Sequence, residues 1–264
     1  MFDRPILFLD SGIGGIPYCS HFHQRNPGES IVYLADRRHF PYGGREKEDL
    51  VEILTALMGN LMQSVNPKIA IIACNTATIA ALAELRERYP KLPFVGTVPA
   101  VKPAALISKT GKIGLLGTEL TIRQPYIREL AAQFGGTEII GIAAAELVEF
   151  VEYRIHSASA QEKRDLARGY LNRFRAAGVN TLVLGCTHFL FLLDDFRREA
   201  SPDIAVFDSV EGITRRIESL LDGTAPAGGR PQNRLFLTGP EAPQASWTSW
   251  ADSLGFDLSL LGES

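Results

Sequence analysis

Two cysteines at the ends of two similar stretches are the residues best placed to do chemistry. IAIIACNTAT (69–78) and TLVLGCTHFL (181–190) each run as an apolar strand, close on a cysteine, and pass through Asn-Thr or Thr-His into helix-like sequence. Cys74 and Cys186 stand 112 residues apart (74 to 186), so no local C-x-x-C unit joins them. A thiol just after a strand and just before a helix feels the positive end of the helix dipole, which favours thiolate below the free value of about 8.5. One such group can act as a base near neutral pH while a protonated partner acts as an acid. Two thiols on opposite walls of a cleft suit the removal of a proton from one face of a carbon and its return to the other. Taken singly, each cysteine also reads as a buried structural thiol, but the matched flanks argue for a pair. Cys19, in PYCSHFH on a helical stretch, has no matching partner and reads as structural.

Other polar residues gather at equivalent places. Ligands in open α/β sheets bind beyond the carboxyl ends of strands, and Asp10, Ser11, Asp36 and Thr118 also stand at or just past such ends. DSGIGG (10–15) lacks the lysine and spacing of a phosphate loop and is not the dinucleotide fingerprint. Its glycines would let backbone N–H groups approach a small anion such as a carboxylate. Asp10 either caps that turn or points at the site, where it could orient a thiol or accept a proton. His188, two residues past Cys186, either caps a helix or tunes that thiol. In the turn FPYGGR (40–45), the Tyr42 hydroxyl and the Gly43 amide could hold a carboxylate. Cysteine, histidine and aspartate together could also bind zinc. The usual close ligand pairs are missing, however, and Cys186-Thr-His188 has the wrong spacing for common sites. A non-catalytic zinc- or thiol-binding module is therefore the rival from another class.

The elements that must position these residues alternate along the chain. Strands are expected at 6–9, 31–34, 69–73, 94–96, 112–117, 138–140, 181–185, 204–207 and 234–237, and helices at 45–65, 76–89, 121–134, 143–156, 160–177 and 211–221. Several strands are apolar on both faces, as in a parallel sheet covered by helices on both sides, so the class is α/β. An internal repeat emerges: Ser11 and Thr118 are offset by 107 (11 to 118), the cysteines by 112, and Asp36 and Glu152 by 116 (36 to 152). Two pseudo-symmetric α/β domains with mainly parallel sheets are the expectation, with the site in the cleft between them. The boundary is placed in VGTVPAVKPAAL (95–106), with a return crossing near 207–213. That gives a discontinuous first domain, 1–97 plus 210–264, and a second domain at 98–209. DGTAPAGGRPQN (222–233) reads as a surface loop.

Composition bounds the partners. The chain has 264 residues, 45% of them hydrophobic and 22% charged, which suits a globular protein of two domains. Its formal net charge of −3 and the lack of a dense Lys/Arg block give no nucleic-acid footprint. MFDRPILFLD reads as a first strand and not a signal peptide, and no run approaches the ~18 apolar residues of a membrane span. Three cysteines are too few for a disulfide framework, so a reducing cytoplasm is the expected setting.

The motifs DSGIGG, AD…FPYGGR, ACNTAT, GTELT and GCTHF, in this order and at these intervals, closely resemble the glutamate racemase family over residues 5 to about 215. The resemblance implies cofactor-independent, metal-free interconversion of L- and D-glutamate by two-base proton transfer at Cα. It implies that Cys74 abstracts the proton from the D-isomer and Cys186 from the L-isomer. Asp10 would assist the first, and His188 with Glu152 the second. Asp10, Ser11, Tyr42, Gly43, Asn75, Thr76, Thr118, Thr187 and His188 would bind substrate. It further implies a role in supplying D-glutamate for peptidoglycan, and leaves the assembly open, a homodimer included. Aspartate or hydantoin racemases of the same superfamily share the cysteine pair. The chain departs from the family's common pattern at Gly44 (proline after PYG), at Ala144-Ala145 (Cys-Pro), and at Phe189-Leu190 (Tyr-Pro).

Overall fold

The structure is a computed structural model that describes residues 4–133, 137–222 and 230–261. The chain opens with β1 (Ile6–Asp10), α1 (Ile16–Arg25), β2 (Ile31–Ala35), α2 (Lys47–Ser64), β3 (Ile69–Ile72), α3 (Asn75–Arg88) and β4 (Phe94–Gly96). It continues with α4 (Val101–Ile107), β5 (Lys112–Gly117), α5 (Glu119–Arg123), α6 (Pro125–Gln133), β6 (Glu138–Ala143), α7 (Ala145–Arg154), α8 (Ala160–Ala176), β7 (Thr181–Gly185), α9 (Leu193–Ala200) and β8 (Ala205–Phe207). It ends with α10 (Val210–Leu221), β9 (Arg234–Leu237), α11 (Ala245–Leu254) and β10 (Asp257–Leu260). Two compact units result, Met1–Thr97 with Val210–Ser264, and Val98–Ser209.

In the first unit every strand pairing is parallel, in the order β10-β9-β2-β1-β3-β4. β1, β2 and β3 are buried at every residue. Helices therefore cover both faces, which is why these segments are continuous apolar runs instead of alternating ones. The returning segment is fastened by α10, which lays Ile213 and Ile217 into the core. On the rim of that contact Arg25 of α1 pairs with Glu211 and Glu218.

The second unit carries a parallel sheet in the order β6-β5-β7-β8. Val101, Ile113, Leu115, Ile127 and Val183 form its buried cluster. Each such side chain contributes roughly 1.5–3 kcal/mol by leaving water. The order β6-β5-β7-β8 repeats β2-β1-β3-β4 of the first unit strand for strand, so the first unit is the same plan with β9 and β10 added beside β2.

Register makes the internal repeat concrete and corrects one part of it. The Asp36 N–H donates to the Asp10 carbonyl at 2.8 Å, and the Ala144 N–H donates to the Gly117 carbonyl at 3.1 Å. Ladder for ladder, Asp10 corresponds to Gly117, Ser11 to Thr118, and Asp36 to Ala144 and not to Glu152. The strand expected to stop at residue 140 runs on to Ala143, and Glu152 lies two turns into α7. Its offset from Asp36 counted helix residues that say nothing about strand register.

Other differences have local causes. The single helix expected over 121–134 breaks at Pro125, which starts α6 because proline supplies no N–H for a continuing helix; residue 134 lies outside the described residues. The boundary segment at 95–106 contains α4, whose first turn holds Pro103, where a missing N–H costs nothing. α9, α11 and β10 were not anticipated. Of the loop expected at 222–233, residues 223–229 lie outside the described residues. Among the described residues no helix is long and apolar enough to cross a membrane.

Candidate active site

The first unit's cluster begins where β1 ends. Asp10, wholly buried, accepts the Gly12 N–H on Oδ1 at 2.9 Å. Tyr33 of β2 pins the following turn: its hydroxyl donates to the Gly12 carbonyl at 2.7 Å and accepts the Gly15 N–H at 3.1 Å. Gly15 is required there, because a Cβ would stand 2.8 Å from the Ala73 Cβ and 3.0 Å from the Tyr33 hydroxyl. The turn carrying Ser11 is thereby pressed against the residue that precedes Cys74.

Cys74 is the N-cap of α3, and its carbonyl accepts the Thr78 N–H at 2.9 Å to begin the helix. Asn75 and Thr76 fill the first turn, both buried. Asn75 Oδ1 is buried with no hydrogen-bond partner among the described residues. An unsatisfied buried acceptor is expensive to keep, so this oxygen is suited to a donor brought by a ligand.

Asp36, just past β2, is fully buried and holds three side chains. Oδ2 accepts the Tyr42 hydroxyl at 2.7 Å and meets His39 Nδ1 at 2.8 Å, while Oδ1 accepts the Thr238 hydroxyl at 2.6 Å. Tyr42 and Gly43 lie in a 3-10 turn, Tyr42–Gly44. Burial holds the Tyr42 phenol well above its ordinary range, reinforced by the charge and hydrogen bond of Asp36 and then by the charges of Cys74 and Asp10. Tyr42, Asp36, Cys74 and Asp10 thus share one electrostatic neighbourhood.

The second unit's cluster follows the same plan. Thr118, past β5, caps α5 by accepting the Thr121 N–H at 3.3 Å. Cys186 follows β7 with φ −136° and ψ 136°, against −140° and 122° at Cys74. Both thiol-bearing residues are 7–8% exposed. The elements that follow them differ. Cys74 precedes a 14-residue α-helix, whereas Cys186 precedes a six-residue 3-10 stretch, Thr187–Leu192. The positive end of a helix dipole therefore acts fully only on Cys74, and the expectation that it acts on Cys186 as well is not met.

Thr187 and His188 are buried in that 3-10 stretch, and His188 Nε2 lies 3.0 Å from Glu152 Oε2 of α7. Both side chains of this pair are under a tenth exposed. The positions where the chain departs from the family pattern are accommodated: Ala144 and Phe189 are wholly buried apolar residues, and a Cβ at Gly44 would meet nothing within 4 Å.

Cys19 is wholly buried, and burial pushes its thiol far above the ordinary range, so it is a neutral core residue. Among the described residues no three of His, Cys, Asp and Glu gather closely enough to hold a metal ion. Thr238 joins the site from outside the motifs, although LFLTG repeats the signature of a hydroxyl residue following a strand seen at Ser11 and Thr118.

Two α/β units of one topology, each carrying a hydroxyl residue and a cysteine just past a central pair of parallel strands, describe a class of α/β racemase. The chain belongs to the Asp/Glu/Hydantoin racemase family, whose profile matches residues 20–217. The glutamate racemase of Sphingopyxis alaskensis is 41% identical in an alignment of 246 residues that covers 91% of each chain. The structure of Escherichia coli glutamate racemase, in complex with L-glutamate and the activator UDP-MurNAc-ala, matches with a TM-score of 0.85 and 31% identity over 97% of both chains. Glutamate racemase RacE1 of Bacillus anthracis matches with a TM-score of 0.79 and 26% identity, over 100% of this chain and 98% of that one. The chain is thus an isomerase, and its relatives are glutamate racemases.

Proposed function

We propose that the chain interconverts L- and D-glutamate by moving the Cα proton between Cys74 and Cys186, with no cofactor or metal. The observation that carries this reading is the matched pair of cysteines, each just past the corresponding strand of its unit and the first residue before the following helical element, with nearly equal backbone angles. The glutamate found with the E. coli relative supports the choice of substrate.

In this reading one thiolate takes the Cα proton while the other cysteine, protonated, delivers its own to the opposite face. The electron pair left at Cα becomes the new C–H bond, and the thiols exchange states each turnover. Cys74 acts on the D-isomer and Cys186 on the L-isomer. Asp10 assists Cys74, and His188, held by Glu152, assists Cys186. A Cα proton beside a carboxylate is a poor acid, so donors aimed at the developing negative charge supply much of the rate. Ser11, the Gly43 N–H in the turn that the Tyr42–Asp36 hydrogen bond anchors, Thr76, Thr118 and Thr187 bind the two carboxylates. The unpartnered Asn75 Oδ1 accepts from the substrate ammonium. The two units are the two domains of the enzyme, which works as a cytoplasmic protein and delivers D-glutamate for peptidoglycan synthesis.

Racemisation followed in D₂O tests the reaction. Solvent deuterium should enter Cα of glutamate, with a rate unchanged by a chelator, while aspartate and hydantoins are turned over at least ~100-fold more slowly. Cys74→Ser and Cys186→Ser should each abolish racemisation; full activity in either variant sinks the two-base assignment.

A further inference from the structure

We propose that Thr238, from the C-terminal segment, is a positioning residue of the racemase site, acting on Tyr42 through Asp36. This rests on the proposed function above and adds to it a residue outside all five motifs.

The direction of each hydrogen bond is fixed by chemistry. The Thr238 oxygen accepts the Arg38 N–H at 3.1 Å, and that backbone group can only donate. The Thr238 hydroxyl hydrogen is then free for Asp36 Oδ1 at 2.6 Å. The other carboxylate oxygen takes the Tyr42 hydroxyl at 2.7 Å. A threonine hydroxyl has one hydrogen and a phenol has one, so both are committed to Asp36. The Tyr42 oxygen is left as an acceptor with a settled orientation, and the 3-10 turn carrying Gly43 is tied to the end of β2. His39 Nδ1 on the same Oδ2 and Arg45 Nε on the His39 carbonyl at 2.7 Å brace the turn from its other end.

Topology explains why a residue 202 positions away in sequence does this work. β9 pairs with β2 in parallel, Ala35 opposite Leu237, so the next residue of each strand, Asp36 and Thr238, reaches the carboxyl edge side by side. The Thr238 N–H continues the ladder to the Ala35 carbonyl at 3.1 Å. Backbone pairing sets the position, and the side chain supplies the contact. Asp36 has no exposure at all, so no bulk water replaces a lost partner on Oδ1. Without the hydroxyl the carboxylate can turn about its own bond, and Tyr42 loses its fixed acceptor.

The test is steady-state racemisation of both glutamate isomers by wild type, Thr238→Val and Thr238→Ser. Valine keeps the shape and removes the hydroxyl; it should raise KM for both isomers about tenfold while kcat stays within about threefold. Serine should restore the wild-type KM within about twofold, because the hydroxyl returns. In a Tyr42→Phe background, Thr238→Val should add less than about a further twofold to KM, since the route of its effect is gone. If Thr238→Val does not fold, Thr238→Ala carries the same comparison. An unchanged KM with only a lowered Tm, or full additivity with Tyr42→Phe, overturns the positioning role. Wild type that does not racemise glutamate overturns the proposed function itself, and the positioning role with it.

Discussion

Glu152 Oε2 and His188 Nε2 face each other at 3.0 Å, both nearly sealed from solvent, in a unit whose thiol lacks a full α-helix behind it. A carboxylate on one imidazole nitrogen fixes the tautomer and orientation of the ring. Glu152→Gln keeps a hydrogen-bonding group but removes the charge. We expect kcat/KM to fall about 10–100-fold. The fall must be equal in both directions, because the two enantiomers have equal free energy. What separates the directions is the primary isotope effect, which should grow for L-glutamate deuterated at Cα and not for the D-isomer. Equal isotope effects would remove Glu152 from the Cys186 side.

Gly15 is the tightest contact in the first unit's turn. Gly15→Ala places a methyl 2.8 Å from the Ala73 Cβ and 3.0 Å from the Tyr33 hydroxyl, so the neighbours must shift. Overpacking of this kind costs about 1–3 kcal/mol. Activity should suffer more than stability, because the displaced neighbours are the turn of Ser11 and the residue before Cys74. Thermal unfolding and kcat measured on one preparation check both parts.

The alkaline limb of stability should carry a signature of Tyr42. Its folded phenol titrates well above the ordinary value of about 10, so the folded state keeps a proton that the unfolded chain gives up. That stability is complete below about pH 10 and is lost as pH rises through the folded value. Tyr170, raised by burial and by its hydrogen bond to Glu146, and Cys19, raised by burial, add to the same limb. Tyr42→Phe should therefore flatten the decline above about pH 10 without abolishing it. Urea titrations at closely spaced pH values read this directly.

Lys68 and Glu29 pair at 2.5 Å at the opposite end of the first sheet, with side-chain exposures of 17% and 7%. Removing one member strands the other. Glu29→Ala should cost about 3 kcal/mol, while the double replacement Glu29→Leu with Lys68→Met costs less than either single change. Denaturant midpoints of the three variants settle the order.

Much of the fold was legible because its strands are buried on both faces, so IVYL, IAII and TLVLG announce themselves as unbroken apolar runs. Cys74 and Cys186 were legible for the same reason, since each closes such a run. The equivalent of Asp36 was not. Register lies in which carbonyl an N–H meets, and the spacing to Glu152 carried no information about that. Thr238 was hidden by topology: nothing near LFLT says that its strand will lie beside β2. The pairs α11 and β10 are short and half exposed, and their apolar pattern is too thin to read.

The insertion of β9 beside β2 also sets an order of events for the growing chain. The second unit is one unbroken stretch, Val98–Ser209, and holds every strand of its sheet within it. The first unit is different. Until residues 234–237 are made, β2 is an open edge with unpaired backbone groups, and an open edge invites pairing with other chains. Synthesis therefore completes the later-starting unit first, and the chain's earliest strands wait for its last ones.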